Sequence, residues 1–267
     1  MIRLAALQLP TLSMSGARIE YYLKYVKEQG AKLALLSEYN LNSFFTELIK
    51  MPRSMIKEQI LHKKQLFLEL SNKFELLIVA PIIIEEEGDL LKGVMKFDGK
   101  KATFYPQNIL INYPHWDEAS FFANYAKFQE VKIPIFSFEE FKFGVIFGYE
   151  AHFDNFFHTI IKEEVDCILM PTASTFDSNL RWQELLKMRA FLTNSYLLRV
   201  NRVGKTKLED SSIEFYGDSF LISPFGKIED YLGEKEGALV VELNKKSIKE
   251  ARELWKFRSN LEKRELI

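Results

Sequence analysis

The chain has 267 residues, 47% of them hydrophobic and 27% charged, and 36 Lys and Arg against 37 Asp and Glu leave a formal net charge of −1. That balance forces no basic surface for nucleic acid or a membrane, and no apolar run is long enough to span a bilayer. One cysteine, Cys167, excludes an intrachain disulfide and fits a reducing compartment. No linker rich in Pro, Gly or Ser divides the sequence, so one domain over residues 1–267 is expected.

In chain order, apolar runs predict strands at Ile2–Leu7 and Leu33–Leu36, with an amphipathic helix over Ala17–Gln29 between them. A helix over Ser54–Lys73 precedes strands at Leu76–Ile84, Val94–Phe97 and Ala102–Tyr105. Asp98-Gly99-Lys100 gives hairpin chemistry between the last two. Strands follow at Phe143–Phe147, Cys167–Met170, Tyr196–Val200, Ser219–Ser223 and Ala238–Glu242, alternating with helices at Phe153–Glu163, Leu180–Leu192 and Lys246–Trp255. Several strands are unbroken runs of Leu, Ile and Val, the pattern of strands covered on both faces. Helices alternating with many strands in one long domain point to layered α/β.

The most informative stretch runs from Phe141 to Ser174. An apolar strand enters a sharp turn at Gly148-Tyr149-Glu150 and then a helix, which is the geometry that projects a nucleophile from a sheet edge. It resembles the nitrilase, or carbon–nitrogen hydrolase, superfamily, whose pattern there is Gly, three apolar residues, Cys, Tyr, Asp or Glu, two residues and Phe. Gly144, Val145, Ile146, Phe147, Tyr149, Glu150 and Phe153 match, and Gly148 stands in the cysteine's place. The resemblance extends along nearly the whole chain. LALLSEYNL places the family's catalytic glutamate on Glu38, FYPQNIL places Gln107 where its lysine would be, and HWDEASFF places a second family glutamate on Glu118. RWQELLKMRAFLTNSYLLRVNRVG and FYGDSFLISPFGKI fit two further family segments.

The resemblance implies an α/β fold of the four-layer α-β-β-α sandwich type. It also implies a chemistry in which a cysteine thiolate attacks a nitrile or amide, a glutamate takes the proton and a lysine stabilises the oxyanion. Glycine cannot form the adduct, and neutral Gln107 cannot supply the charge. The triad positions Glu38, Gln107 and Gly148 are thus degenerate at two places. The reading this favours is a non-catalytic protein with a binding or assembly role. A second reading keeps hydrolysis, with water or another side chain as nucleophile.

The expected pocket is polar and vacated at Gly148, lined by Glu38, Gln107 and Glu118, with Tyr149, Glu150, Thr172 and Ser174 as further binding positions for a small polar ligand. Without a lysine at 107, Glu38 and Glu118 are expected to repel, with Gln107 meeting their lone pairs. Cys167 lies in the apolar run DCILM and reads as a buried hydrophobe rather than a substitute nucleophile. His62, His115, His152 and His158 show no metal-ligand spacing, and no metal or cofactor is expected. The first residues show no charged-then-apolar leader, and a cytoplasmic location is expected. The tail from Ala251 to Arg264 offers Leu254, Trp255, Phe257 and Leu261 for a homodimer interface.

Overall fold

A computed structural model describes residues 1–175, 178–208 and 211–267. The first half runs through β1 (Ile2–Gln8), helix α1 (Ala17–Glu28), β2 (Leu33–Leu36), the single turn α2 (Phe45–Leu48) and α3 (Arg53–Phe74), then β3 (Leu77–Glu86), β4 (Asp89–Phe97) and β5 (Ala102–Pro106). A small ribbon, β6 (Asn112–Tyr113) with β7 (Trp116–Asp117), and the turn α4 (Asn124–Lys127) lead to the second half. There β8 (Ile135–Phe138), β9 (Phe141–Val145), α5 (Asp154–Lys162), β10 (Cys167–Thr172), α6 (Asn179–Thr193) and β11 (Tyr196–Asn201) follow in order. The hairpin β12 (Val203–Leu208) and β13 (Ser211–Tyr216), then β14 (Ser219–Ile222), β15 (Ile228–Leu232), β16 (Gly237–Leu243), α7 (Lys245–Trp255) and α8 (Phe257–Lys263) complete the chain.

Two six-stranded sheets result, ordered β16-β1-β2-β3-β4-β5 and β15-β14-β11-β10-β9-β8. The alternation of side chains along each strand builds the layers. Leu4 and Ala6 of β1 join Val145, Cys167 and Leu169 in a core between the sheets. Ala5 and Leu7 face the other way, toward Leu23, Val26 and Phe67 of α1 and α3. On the second sheet, Ile168 and Met170 pack on Phe156, Ile160 and Leu186 of α5 and α6. Helices therefore cover both outer faces, giving the expected four layers. Cys167 sits in the innermost core, fully buried, and burial pushes its thiol above the usual value. It is no nucleophile.

Most predicted elements are present, with two shifts that matter. The strand expected to start at Val94 starts at Asp89, so Lys92 and Gly93 lie within β4. The strand expected over Phe143–Phe147 is β9, ending at Val145, and a short 3-10 turn at Tyr149–His152 separates it from α5. Strands β8, β12, β13 and β15, the ribbon β6–β7 and the short helices α2, α4 and α8 lie outside the predicted set, being short or lacking periodicity. Gly93 makes room for β5: a β-carbon there would stand 2.2 Å from Tyr105 O.

Strands β1, β2 and β3 run parallel, as do β9, β10 and β11. Glu38 follows the carboxyl end of β2, Gly148 follows that of β9, and Thr172 and Asn201 end β10 and β11. Ligand sites of layered α/β proteins gather at such strand ends.

Candidate functional site

A cavity of about 390 Å³ opens at these strand ends. Glu38 lies at its floor, Gly148, Thr172 and Ser174 along one side, and Trp116 and Trp182 contribute indole walls. Rings continue around it: Tyr113 meets Tyr149 edge-on at 5.5 Å, and His152 meets Trp182 at 5.4 Å. Tyr149 thus lines the cavity with its ring.

Behind the floor is a buried ionic cluster. Lys92 Nζ donates to Glu38 Oε2 at 2.6 Å and to Glu118 Oε1 at 2.8 Å, and all three side chains are buried. Glu118 Oε1 also accepts from Trp116 Nε1 at 3.2 Å and from the Tyr39 hydroxyl. The ammonium lies 4.7 Å from the Tyr39 ring centroid, a favourable cation–π distance. Burial raises the Glu38 carboxyl, Lys92 pulls it down and Glu118 pushes it up; the net is above the ordinary value. Burial alone would lower Lys92, but Glu118 and Glu38 hold it above its ordinary value. Arg202, buried over the Phe215 ring at 4.2 Å, adds a second cation close enough to favour the Glu38 charge. Two carboxylates therefore face two cations, and the expected repulsion between uncompensated acids is corrected.

Lys92 brings a cation beside position 107, and strand register explains how. Gly93 of β4 pairs with Pro106 of β5, and Gln107 N donates to Lys92 O at 3.0 Å, so residues 92 and 107 are cross-strand neighbours. Asn124 clamps the pair, its Nδ2 donating to both Lys92 O and Gln107 O. Gln107 itself turns to its own chain, donating from Nε2 to Ile109 O at 2.8 Å, while its Oε1 has no partner among the described residues. It neither meets a carboxylate nor lines the cavity, and Glu118 stays behind the wall as well. The expectation of a floor made by all three residues is thus corrected: of the three, Glu38 alone reaches the cavity. The sequence signal for Lys92 was a lone lysine in the apolar run LLKGVM.

Glu150 also departs from its expected role as a binding residue. Its Oε1 accepts from Asn108 N at 2.7 Å and Ile109 N at 3.1 Å, and its Oε2 from Phe147 N at 3.0 Å. Burial, against those three N–H groups, brings its carboxyl to about 7. The side chain ties the elbow to the segment after β5 and does not line the cavity.

Gly148 has φ −51, ordinary for any residue, so backbone conformation does not require glycine. Space does. A β-carbon at 148 would stand 2.8 Å from Thr172 Cγ2 and 3.5 Å from the Trp182 ring. Thr172 is fixed: its Oγ1 lies 3.1 Å from both Val200 O and Asn201 Oδ1, which leaves its methyl group toward Gly148. Asn201 holds the next turn too, accepting from Ser174 N at 2.7 Å and donating to Gly217 O at 2.8 Å. The Thr172 methyl group thus stands close beside Gly148, which itself borders the cavity. Among the described residues no three His, Cys, Asp or Glu side chains gather as a metal site.

Residues 3–253 match the family model described as carbon–nitrogen hydrolase. The chain is 24% identical to N-carbamoylputrescine amidase of Solanum tuberosum over 96% of this chain and 90% of that one. A carbon–nitrogen hydrolase from Helicobacter pylori G27 shares its fold with TM-score 0.85 at 18% identity, covering 97% of this chain and 94% of that one. A cysteine-to-alanine mutant of the amidase from Nesterenkonia sp. AN1, in complex with butyramide, aligns with TM-score 0.77 at 19% identity over 95% and 97% of the two chains.

The ionic cluster sets a stability prediction. Lys92→Met leaves two buried carboxylates without their shared cation and is expected to lose about 3–5 kcal/mol at pH 7.5. Without Lys92 the folded-state carboxyl of Glu38 rises further above its unfolded value. The variant should therefore be closest to wild type below that value and fall behind as pH rises through it. Urea unfolding at pH 5 and pH 7.5 measures both the loss and its sign.

Proposed function

The chain belongs to the carbon–nitrogen hydrolase family, and from that premise we propose that it is a non-hydrolytic member whose cavity binds a small amide or ureido compound. The observation that carries this is the Thr172 methyl group in the space of a side chain at 148. Without a nucleophile no acyl-enzyme forms, and loss of a nucleophile in a hydrolase costs on the order of a millionfold in turnover. Binding is a separate matter. Glu38 is 5% exposed, and its Oε1 has no hydrogen bond among the described residues, so it offers an acceptor to an amide N–H in the cavity. The relative from Nesterenkonia sp. AN1 that carries butyramide does so as a mutant lacking a cysteine.

The hydrolytic alternative needs another nucleophile with a base. Thr172 Oγ1, the hydroxyl nearest Gly148, is engaged with Val200 O and Asn201 Oδ1. Purified protein is expected to release no ammonia from butyramide or N-carbamoylputrescine above a no-protein control, while calorimetry detects binding of at least one of them. Turnover abolished by Glu38→Ala would overturn the non-hydrolytic reading.

The assembly part of the proposal rests on an apolar patch. Met188 and Leu192 of α6 and Leu254 and Trp255 of α7 are exposed, and the Trp255 ring packs against Phe191 at 5.0 Å. Such a patch suits a second copy of the chain across a two-fold axis. Light scattering at micromolar concentration is expected to give a dimer mass for wild type and a monomer mass for Leu254→Asp with Trp255→Asp. A monomeric wild type would contradict it.

A further inference from the structure

One buried arginine is costly to the fold. Arg202 is 1% exposed and does not line the cavity, so it touches no ligand there. Its guanidinium lies over the Phe215 ring, and its Nε and Nη1 have no hydrogen-bond partner among the described residues. Burial lowers it to about 10, against the pull of Glu47, Tyr39 and Glu38. A desolvated cation with two unused donors costs stability, and packing alone does not account for it.

The bond that Arg202 does make leads back to Glu38. Its Nη2 donates to Thr11 Oγ1 at 2.9 Å, and Thr11 Oγ1 donates in turn to Tyr39 O at 2.9 Å. Tyr39 directly follows Glu38 and holds φ at +59, in the left-handed region. A bulky side chain rarely adopts that conformation, which persists only where its surroundings fix it. The next residue is fixed as well: Asn40 Oδ1 accepts from Ser37 N at 2.8 Å, and its Nδ2 donates to Leu9 O at 2.7 Å. The Tyr39 carbonyl is held by Thr11, and Thr11 by Arg202. A guanidinium at the end of such a chain polarises and strengthens each bond in it.

We propose that Arg202 is a positioning residue for Glu38: through Thr11 it braces the turn that aims the free carboxyl oxygen into the cavity, and its charge keeps that oxygen an acceptor. This rests on the reading of Glu38 as the acceptor of the cavity. Glu38 Oε2 is taken by Lys92, so a proton on the carboxyl goes to Oε1, the oxygen that would receive an amide N–H. Burial disfavours the Glu38 charge first; Lys92 and Arg202 favour it, and Glu118 opposes it. The groups facing Arg202 are Glu47, the Tyr39 hydroxyl and Glu38 itself.

The test reads two quantities: the carbon NMR titration of the Glu38 carboxyl, assigned as the signal lost in Glu38→Gln, and the affinity for butyramide. Arg202→Met should move the titration midpoint to higher pH, because Glu38 loses a cation that favours its charge. It should also weaken butyramide binding about two- to tenfold. Arg202→Lys should return the midpoint toward wild type. Thr11→Val breaks the link and leaves the guanidinium in place, so affinity should fall about two- to tenfold with the midpoint unmoved. A purely structural arginine would leave the Glu38 midpoint of Arg202→Met where it is in wild type. That result, or wild-type affinity in Thr11→Val, overturns the inference. Should Arg202→Met not fold, Arg202→Gln is titrated in its place. If wild type binds no butyramide, the amide reading fails, and the carboxyl titration still decides the role of Arg202.

Discussion

The close approach of Thr172 to Gly148 sets what the rest of the site can be, because the methyl group turns away only if the Thr172 hydroxyl gives up its bonds. Thr172 ends a central strand, and its hydroxyl is held by Val200 O and Asn201 Oδ1. Gly148 follows β9, paired in parallel to β10, and Gly148 N donates to Pro171 O at 3.0 Å. Strand register and side-chain hydrogen bonding together put a methyl group 2.8 Å from any β-carbon at 148. Interiors packed to crystal density absorb such an overlap only by moving backbone or breaking bonds. Gly148 thereby borders the cavity with no side chain of its own.

The ionic cluster beside the elbow rests on a different constraint. Burying Glu38 and Glu118 is tolerable only if cations accompany them, since an unpaired buried charge costs several kcal/mol. Lys92 and Arg202 do this. Whatever the cavity binds, the cluster keeps Glu38 oriented with one oxygen inward.

The layers were legible in the sequence because buried strands announce themselves as runs such as Leu33–Leu36, and because the segments around Glu38, Gly148 and Asn201 come in the order of the family. Glu38, Tyr149, Thr172 and Ser174 do meet at one cavity. Lys92 was not legible. Linear register assigns the cation's role to position 107, whereas space is shared between cross-strand neighbours, and a lysine inside an apolar run breaks the strand signal at that point. Glu150 was misplaced because a motif gives a residue's position but not the direction its carboxylate faces. The close approach to Gly148 depends on a single rotamer of Thr172, which no periodicity encodes. The turn that Arg202 braces was not legible either, because its link to Tyr39 joins segments far apart in the chain.

The central claim is that position 148 has no room for a side chain while Thr172 keeps its methyl group. The most direct measurement is the unfolding free energy of Gly148→Cys, alone and with Thr172→Ser, which removes the methyl and keeps the hydroxyl. The account predicts a loss of about 1–3 kcal/mol for the single variant. Most of that loss should return in the double variant, a coupling expected only of residues in contact. A single variant as stable as wild type, with a thiol that iodoacetamide alkylates readily, would show an open elbow and contradict the account.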